Sequence, residues 1–208
     1  MELEDFINAR NILKDVIKET SLIKTDLSQK HHIYLKPENN QITGSFKIRG
    51  AYYKISTLSD KEKRRGVIAC SSGNHAQGVA FACKKLGIKA HICMPKHTAE
   101  VKIENTRKYG AEVILVDGVY DDAYKKALEL QKEFGYTLVH PYEDEKIITG
   151  QGTISLEILN ELKDTDLINK FASAMLSFKF NASCIAVDTG LSKSEVFSTL
   201  PNPTWDLV

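Results

Sequence analysis

The sequence TGSFKIRG, residues 43–50, puts a lysine in an unusual setting. Apolar residues recur at helical spacing from Phe46 onward, which predicts a helix there, and Thr43 or Ser45 could cap its start. Lys47 would then lie in the first helical turn, where the helix dipole disfavours a cation. A neutral amine, which is nucleophilic, gains from that position. Two interpretations follow: Lys47 is either a reactive amine or a solvated lysine near a helix start.

A second stretch, SSGNHAQG at residues 71–78, supplies a loop of small polar residues. A strand pattern precedes it and a helical pattern follows it, so the loop would lie where ligands bind in open α/β sheets. Backbone N–H groups at the helix start would face an anion, Gly73 would let a ligand approach the backbone, and His75 could serve as a base or hydrogen-bond donor. A capped turn without a ligand favours the same residue types, so both interpretations stay open.

Outward from these stretches, strand patterns alternate with helical patterns. Strands are predicted over residues 32–36, 67–70, 88–94, 112–116 and 136–140. Helices are predicted over residues 3–18, after the loop at 71–74, and over 98–109 (capped by Thr98), 121–134 and 151–162. This alternation predicts an α/β protein with open parallel sheets and helices on both faces. Residues 141–149 are predicted to be a polar connection, and no such alternation continues beyond residue 166.

Composition narrows the function classes. The 208 residues carry 28 basic and 27 acidic side chains, a balance that argues against nucleic-acid binding. No apolar run is long enough to span a membrane, and the first residues lack the apolar core of a signal peptide. The four cysteines are scattered, which favours a reducing, cytoplasmic location. No histidine or cysteine has zinc-ligand spacing, so no metal is assigned, and no hydrolase serine motif or phosphate-loop motif occurs.

Three blocks resemble one enzyme family. Residues 36–51, KPENNQITGSFKIRGA, are similar to the cofactor-lysine motif of the threonine ammonia-lyase (threonine dehydratase) and serine racemase family. These are pyridoxal 5'-phosphate (PLP) enzymes of fold type II, the tryptophan synthase β-like group. Residues 71–80 resemble the family's substrate-carboxylate loop, and residues 150–154 resemble a third block. The likeness covers about residues 20 to 166, and it favours the reactive interpretation of Lys47.

The resemblance implies a role for each matching residue. Lys47 would form the Schiff base with PLP and transfer the substrate's α-proton, and Phe46 would pack against one face of the cofactor ring. Asn74 would hydrogen-bond the 3′-hydroxyl of that ring. In racemising members the serine that matches Ser72 is the acid/base on the opposite face. The substrate carboxylate would be held by Ser72, Gly73, Asn74 and His75.

The resemblance also implies a reaction and substrates. L-Threonine would lose water and give 2-oxobutanoate and ammonia, and L-serine would give pyruvate. Serine racemase stays open as an alternative within the same family. Assembly into a homo-oligomer stays open as well.

The chain departs from the family pattern after residue 166. The family's glycine-rich loop for the PLP phosphate has no counterpart, since Gly190 is the only later glycine. We therefore predict an incomplete large domain at 1–65 and 147–166, a small α/β domain at 66–146 and a divergent tail at 167–208. Loss of the loop predicts weak PLP retention. It also leaves another class of function open, a non-catalytic family member that binds a protein partner.

Overall fold

The structure, a computed structural model, describes residues 1–26 and 32–162 and the backbone of residues 185–188. The described helices are α1 (Leu3–Leu13), α2 (Lys47–Ser56), α3 (Asp60–Arg65), α4 (Asn74–Leu86), α5 (Glu100–Arg107), α6 (Tyr120–Phe134) and α7 (Glu145–Glu161). The described strands are β1 (Ile23–Thr25), β2 (Ile33–Lys36), β3 (Val67–Cys70), β4 (Ala90–Pro95), β5 (Glu112–Val116), β6 (Thr137–Leu138) and β7 (Ile185–Asp188). The predicted tail, apart from the backbone of β7, and the predicted loss of the phosphate loop lie outside these residues.

A four-stranded parallel sheet, in the order β5-β4-β3-β6, forms the centre of the described fold. Side chains alternate along β3, so its two faces join different apolar clusters. Val67 and Ala69 pack with residues of α2 and α4, while Ile68 and Cys70 pack against Ala123 and its neighbours in α6. Helices therefore cover both faces of the sheet, and the predicted α/β class is confirmed.

A smaller, three-stranded sheet has the order β1-β2-β7 and is antiparallel throughout. The sequence predicted β2 but not β1, which has only three residues and no clear alternation of buried and exposed side chains. Ile23 lies opposite Leu35 on one side of β2, and Tyr34 lies opposite Val187 on the other side. The predicted parallel arrangement therefore applies only to the larger sheet.

The carboxyl ends of β3, β4 and β6 lie at one edge of the parallel sheet, because parallel strands share a direction. The loop at residues 71–73 follows β3 at this edge and leads into α4. Helix α2 packs against both α4 and α7, so its first turn is held beside the same edge. The topology thus brings the two stretches singled out in the sequence to one place.

Helix starts account for most differences from the predicted elements. Helix α5 begins at Glu100 with Ala99 at its N-cap position, so Thr98 does not cap it. Helix α2 begins at Lys47 with Phe46 at the N-cap position, so neither Thr43 nor Ser45 occupies that place. The Ser45 hydroxyl is only a distant acceptor for the Lys47 N–H, at 3.4 Å.

Helix α7 begins at Glu145, six residues before its predicted start, so the polar connection is shorter than predicted. The side chain of Asp144 caps it by accepting hydrogen bonds from the N–H groups of Lys146 (2.8 Å) and Ile147 (3.2 Å). Gly150 and Gly152 concealed this first half, because glycine weakens a helical pattern. Helix α1 differs in the other direction and ends at Leu13 rather than at residue 18.

No helix of the described residues combines the length and the apolar character that crossing a membrane requires.

Candidate active site

Lys47 is the first residue of α2, and its side chain is largely buried. Its Nζ donates a hydrogen bond to the carbonyl oxygen of Pro141 (3.1 Å) and lies 5.3 Å from the ring centroid of Phe46. Within the described residues no carboxylate pairs with this amine. Lys47 therefore combines burial with the absence of a counter-charge, which a structural lysine rarely does.

Burial changes the acidity of this amine. Loss of solvent lowers the pKa of Lys47 from 10.5 to about 8, because the charged form is disfavoured in a medium of low polarity. With that pKa, roughly a tenth of the molecules carry a neutral Lys47 amine at pH 7, against fewer than about one in a thousand for an ordinary lysine. The structure thus supports the reactive interpretation over the solvated one.

A glycine brings α2 and α4 into direct contact beside this amine. A Cβ added to Gly78 would lie 3.1 Å from the carbonyl oxygen of Lys47 and 3.2 Å from the amide nitrogen of Ile48. The first turn of α2 therefore rests on α4, close to the start of that helix at Asn74. The first N–H groups of a helix have no acceptor within it and carry the positive end of the dipole. Both helix starts contribute this polarity to one edge of the sheet.

The loop before α4 presents hydroxyl groups and open backbone. Ser71 Oγ accepts from the Gly73 N–H (3.3 Å), and Ser72 Oγ accepts from Thr98 Oγ1 (3.1 Å). A Cβ at Gly73 would meet no atom within 4 Å from the described residues beyond its chain neighbours, so its backbone is open to a ligand on that side. Thr98, which the sequence assigned to a helix cap, instead orients the Ser72 hydroxyl. This leaves the Ser72 O–H proton available to another acceptor.

His75 lies in the first turn of α4 and is only 3% exposed. Its Nε2 is 2.9 Å from the carbonyl oxygen of Val139, so this nitrogen carries the proton. Its Nδ1 is buried and has no hydrogen-bond partner among the described residues. Burial, and then the charge of Lys47, lower the pKa of His75 to about 3, so the ring is neutral at physiological pH.

His140, which the sequence analysis did not select, lies near Lys47 at the carboxyl end of β6. Burial is the main cause that lowers its pKa, the charge of Lys47 adds to it, and Glu143 and Asp144 oppose it. Its Nδ1 accepts from the N–H of Glu143 (2.7 Å), and its ring meets that of Tyr142 edge to face with centroids 4.6 Å apart. A histidine directly after an apolar strand was the signal that could have found it.

Phe46 is 4% exposed and packs in an apolar cluster with Ile154 and Ile158 of α7. The structure therefore brings Phe46, Lys47 and His75 close to each other, with the loop at residues 72–74 leading into the same helix. The roles assigned to them by resemblance stay predictions.

These residues fit the aldehyde end of a PLP molecule. They provide a buried amine of lowered pKa, an orphaned imidazole nitrogen and two helix starts that favour an anion. The question of a phosphate loop lies outside the described residues. Lys47 could hold the cofactor. Asn74, the first residue of α4, could contact it.

Known proteins share much of this chain. It is 48% identical over 169 residues to the L-threonine ammonia-lyase of Thermotoga maritima, a match that covers 80% of this chain and 42% of the relative. Among solved structures it is similar to the processed form of threonine deaminase isoform 2 from Solanum lycopersicum, with a TM-score of 0.73, 38% identity, and coverage of 79% of this chain and 50% of that one.

A second solved structure, serine racemase from Dictyostelium discoideum, has a TM-score of 0.76 and 28% identity, and covers 87% of this chain and 62% of that one. A family model described as pyridoxal-phosphate dependent enzyme matches residues 13–177. The chain spans about half the length of the curated relatives it matches, from 42% to 51% for the ammonia-lyase of Thermotoga maritima and a catabolic L-threonine dehydratase of Escherichia coli.

Proposed function

The chain belongs to the family of pyridoxal-phosphate-dependent enzymes, and we propose that it is a threonine/serine ammonia-lyase that converts L-threonine to 2-oxobutanoate and ammonia. The relatives named for threonine support this substrate. The observation that carries the proposal is the Lys47 amine, which is buried, has no carboxylate partner in the part of the chain that the structure describes, and has a pKa lowered to about 8. A cofactor-bearing lysine needs these properties, since it must react as a neutral amine.

In this proposal Lys47 has two tasks. Its neutral Nζ attaches PLP and later accepts the α-proton of the substrate. When bound, PLP supplies an electron sink for the breaking C–H bond. The Pro141 carbonyl, 3.1 Å from Nζ, keeps the amine at the sheet edge, and the buried surroundings exclude water from it.

The loop and the start of α4 hold the substrate and cofactor in this proposal. The N–H groups at the helix start, with the hydroxyl of Ser72 and the open backbone of Gly73, bind the substrate carboxylate. The His75 ring stays neutral, so it adds no positive charge beside the Lys47 amine. The His75 backbone lies in the same first turn of α4 as the N–H groups that bind the carboxylate. Asn74 hydrogen-bonds the ring hydroxyl, and Phe46 forms part of the wall behind the ring.

An absorption spectrum tests the proposal most directly. PLP is added to the purified chain, excess is removed, and the spectrum is compared with that of Lys47→Ala treated in the same way. We expect a retained band of lysine-linked cofactor in the wild type, weak in line with the predicted loss of the phosphate loop, and no such band in the variant. L-Threonine should then yield a 2-oxo acid and ammonia. A wild type without a retained band, or a variant with the same band, would contradict the proposal.

Serine racemase is the alternative within the family. The hydroxyl contact between Thr98 and Ser72 favours it, because it orients the Ser72 O–H that a racemase would use as acid and base. The rate of L-serine racemisation, compared with the rate of threonine elimination, separates the two reactions. A Ser72→Ala change should abolish racemisation and leave elimination measurable if Ser72 has that role.

A non-catalytic protein that binds a partner is the alternative of another class. Two exposed apolar residues of α1, Leu3 and Ile7, favour it, because they lie about one turn apart on the same face of the helix. Partner-dependent solubility without turnover would support this alternative. A purified chain that stays monomeric and soluble by itself and catalyses the reaction would contradict it.

We also propose the division into a small domain at 66–146 and a partial large domain at 1–65 and 147–166. The parallel sheet and its flanking helices support it, although one apolar cluster joins Ala51 of α2 and Ile147 of α7 to the sheet. A cytoplasmic location is part of the proposal too. Three cysteines, Cys70, Cys83 and Cys93, are buried and unpaired, as in proteins of a reducing compartment.

A further inference from the structure

A fully buried arginine lies two residues after Lys47. Arg49 has no exposed surface, and its guanidinium is bound by two carboxylates. Nε and Nη2 donate to the two oxygens of Glu38, each at 2.8 Å. Nη1 and Nη2 donate to the two oxygens of Glu157, at 2.5 and 2.9 Å. Such two-pronged contacts fix orientation as well as distance.

A buried lysine completes this cluster. Lys36 Nζ lies 2.7 Å from Glu157 Oε2 and donates to the carbonyl oxygen of Thr20. Thr20 Oγ1 in turn donates to Glu38 Oε1 (2.7 Å). We call the two buried cations and two buried carboxylates, Lys36, Glu38, Arg49 and Glu157, the charge cluster. Glu161, which is partly exposed, lies further from Lys36 Nζ, at 3.6 Å.

The charge cluster connects three separate segments. Lys36 ends β2 and Glu38 follows it, Arg49 belongs to α2, and Glu157 belongs to α7. Two residues correspond to about 200° around a helix, so Arg49 and Lys47 point to nearly opposite sides of α2. The cluster holds one side of the first turn while Lys47 faces the sheet edge from the other side.

Close helix contacts restrict the same turn. A Cβ at Gly150 of α7 would lie 2.6 Å from the Gly50 Cα and 2.8 Å from the Arg49 carbonyl oxygen. On the other side, Gly78 of α4 approaches the Lys47 carbonyl oxygen. The start of α2 is thus enclosed by backbone on two sides.

We infer that the charge cluster is a positioning device, in which Arg49 sets the rotation of the first turn of α2 and thereby how deeply the Lys47 side chain is buried at the edge of the parallel sheet. This inference rests on the proposed function of Lys47. Buried ion pairs often add little net stability, since desolvation offsets attraction, so a geometric role accounts for four buried charges better than a stabilising one. Burial by itself would lower the pKa of Arg49, but the hydrogen bonds and charges of Glu38 and Glu157 outweigh it and raise that pKa, so the arginine is always charged.

Labelling of Lys47 by an amine-reactive reagent tests the inference without cofactor or turnover. The cofactor-free full chain is treated with fluorodinitrobenzene at a series of pH values, and mass spectrometry measures the labelling rate of Lys47. The wild type should show a midpoint near pH 8. In Arg49→Lys, which keeps the charge but loses the two-pronged contacts, the midpoint should rise by about one pH unit as Lys47 gains solvent. His75 and His140, the titratable groups that face Lys47 from α4 and the end of β6, are unchanged.

A second variant of the charge cluster keeps the test decisive if Arg49→Lys does not fold. Lys36→Met/Glu157→Gln removes one charge of each sign, so the remaining Arg49–Glu38 pair stays neutral overall, and the same upward shift is expected. Ile92→Val, in the core of the parallel sheet, serves as the control with lowered stability and an unshifted midpoint. Unchanged midpoints in the two cluster variants, or an equal shift in the control, would overturn the inference. Failure to retain PLP would count against the proposed function but leave this readout intact.

Discussion

The two sides of α2 differ in how their buried cations are paired. On one side, Arg49 and Lys36 face two carboxylates, and every charge is paired. On the other side, the Lys47 amine donates to a carbonyl oxygen, no carboxylate among the described residues pairs with it, and two neutral histidines lie near it. Pairing fixes the geometry of one side, whereas the missing counter-charge leaves the amine on the other side available for chemistry. Fixed geometry and chemical reactivity are therefore divided between two faces of one helix.

Removal of the buried cation should have opposite effects on the two sides, and this gives the largest expected change. Arg49→Met leaves Glu38 buried without a cation and Glu157 with Lys36 alone, and we expect a loss of about 3–5 kcal/mol in the free energy of unfolding. Urea denaturation at pH 7 measures it. Lys47→Met on the opposite side is the matched control and should not destabilise. Similar losses in both variants would show that the two sides do not differ.

The stability gained by Lys47→Met should depend on pH. The folded state lowers the pKa of Lys47 from 10.5 to about 8. Below pH 8 the charged amine therefore reduces the free energy of unfolding by about 3 kcal/mol. Between pH 8 and 10.5 the unfolded chain binds the extra proton, so wild-type stability rises with pH in that window.

We therefore expect Lys47→Met to be more stable than the wild type at pH 7, with a difference that shrinks towards pH 10.5. Urea titrations at pH 7, 9 and 10 would reveal the trend. A difference that does not change with pH would mean that Lys47 is not desolvated.

His75 should make the same side sensitive to acid. Its folded pKa of about 3 lies below the ordinary value of 6.5, so the unfolded chain takes up a proton first as pH falls, and stability decreases from pH 6.5 downward. By pH 4.5 this contribution amounts to about 2–3 kcal/mol.

The uncharged variant His75→Gln, which can still donate to the Val139 carbonyl, should lack that contribution. Unfolding free energies of both proteins at pH 7 and pH 4.5 measure it, and the other histidines cancel in the comparison. Equal acid losses in the two proteins would assign the sensitivity to another group.

Two glycine substitutions give the smallest expected change. One tests the packing of α7 against α2, and the other tests the access of ligands to the loop before α4. Gly150→Ala forces backbone atoms of α2 and α7 apart and should cost about 1–3 kcal/mol of stability. Gly73→Ala meets no protein atom, so its stability should stay near that of the wild type while PLP retention or substrate binding falls. Thermal melts and the retained absorption band report the two effects. A stable Gly150→Ala protein would show that the contact between these helices yields easily.

The sequence predicted the parts of this molecule that depend on local patterns. Strand and helix alternation located β3, α4, β5 and α6 closely, because each has its own apolar periodicity and a clear end. It also located the Lys47 turn and the loop at 71–74. The roles of the residues in them stay predictions.

The parts that were missed depend on distant neighbours. Glu38 and Glu157 carry no local sign that they bind the same arginine, so the charge cluster was invisible in the sequence. The early start of α7 was missed because Gly150 reads as a helix breaker, although the close approach of α2 requires a residue without a side chain there. Thr98 suited a helix cap, but its hydroxyl contacts Ser72 instead.

The span of the charge cluster has a consequence for how the protein folds. Arg49 and Glu157 are 108 residues apart, so their contact closes a long loop of the chain. At a synthesis rate of about 5–20 residues per second, Glu157 follows Arg49 from the ribosome after roughly 5–20 seconds. Until then Arg49 of α2 has only one of its two carboxylate partners, Glu38. The charge cluster beside Lys47 is therefore completed only after the C-terminal half of α7 has been synthesised.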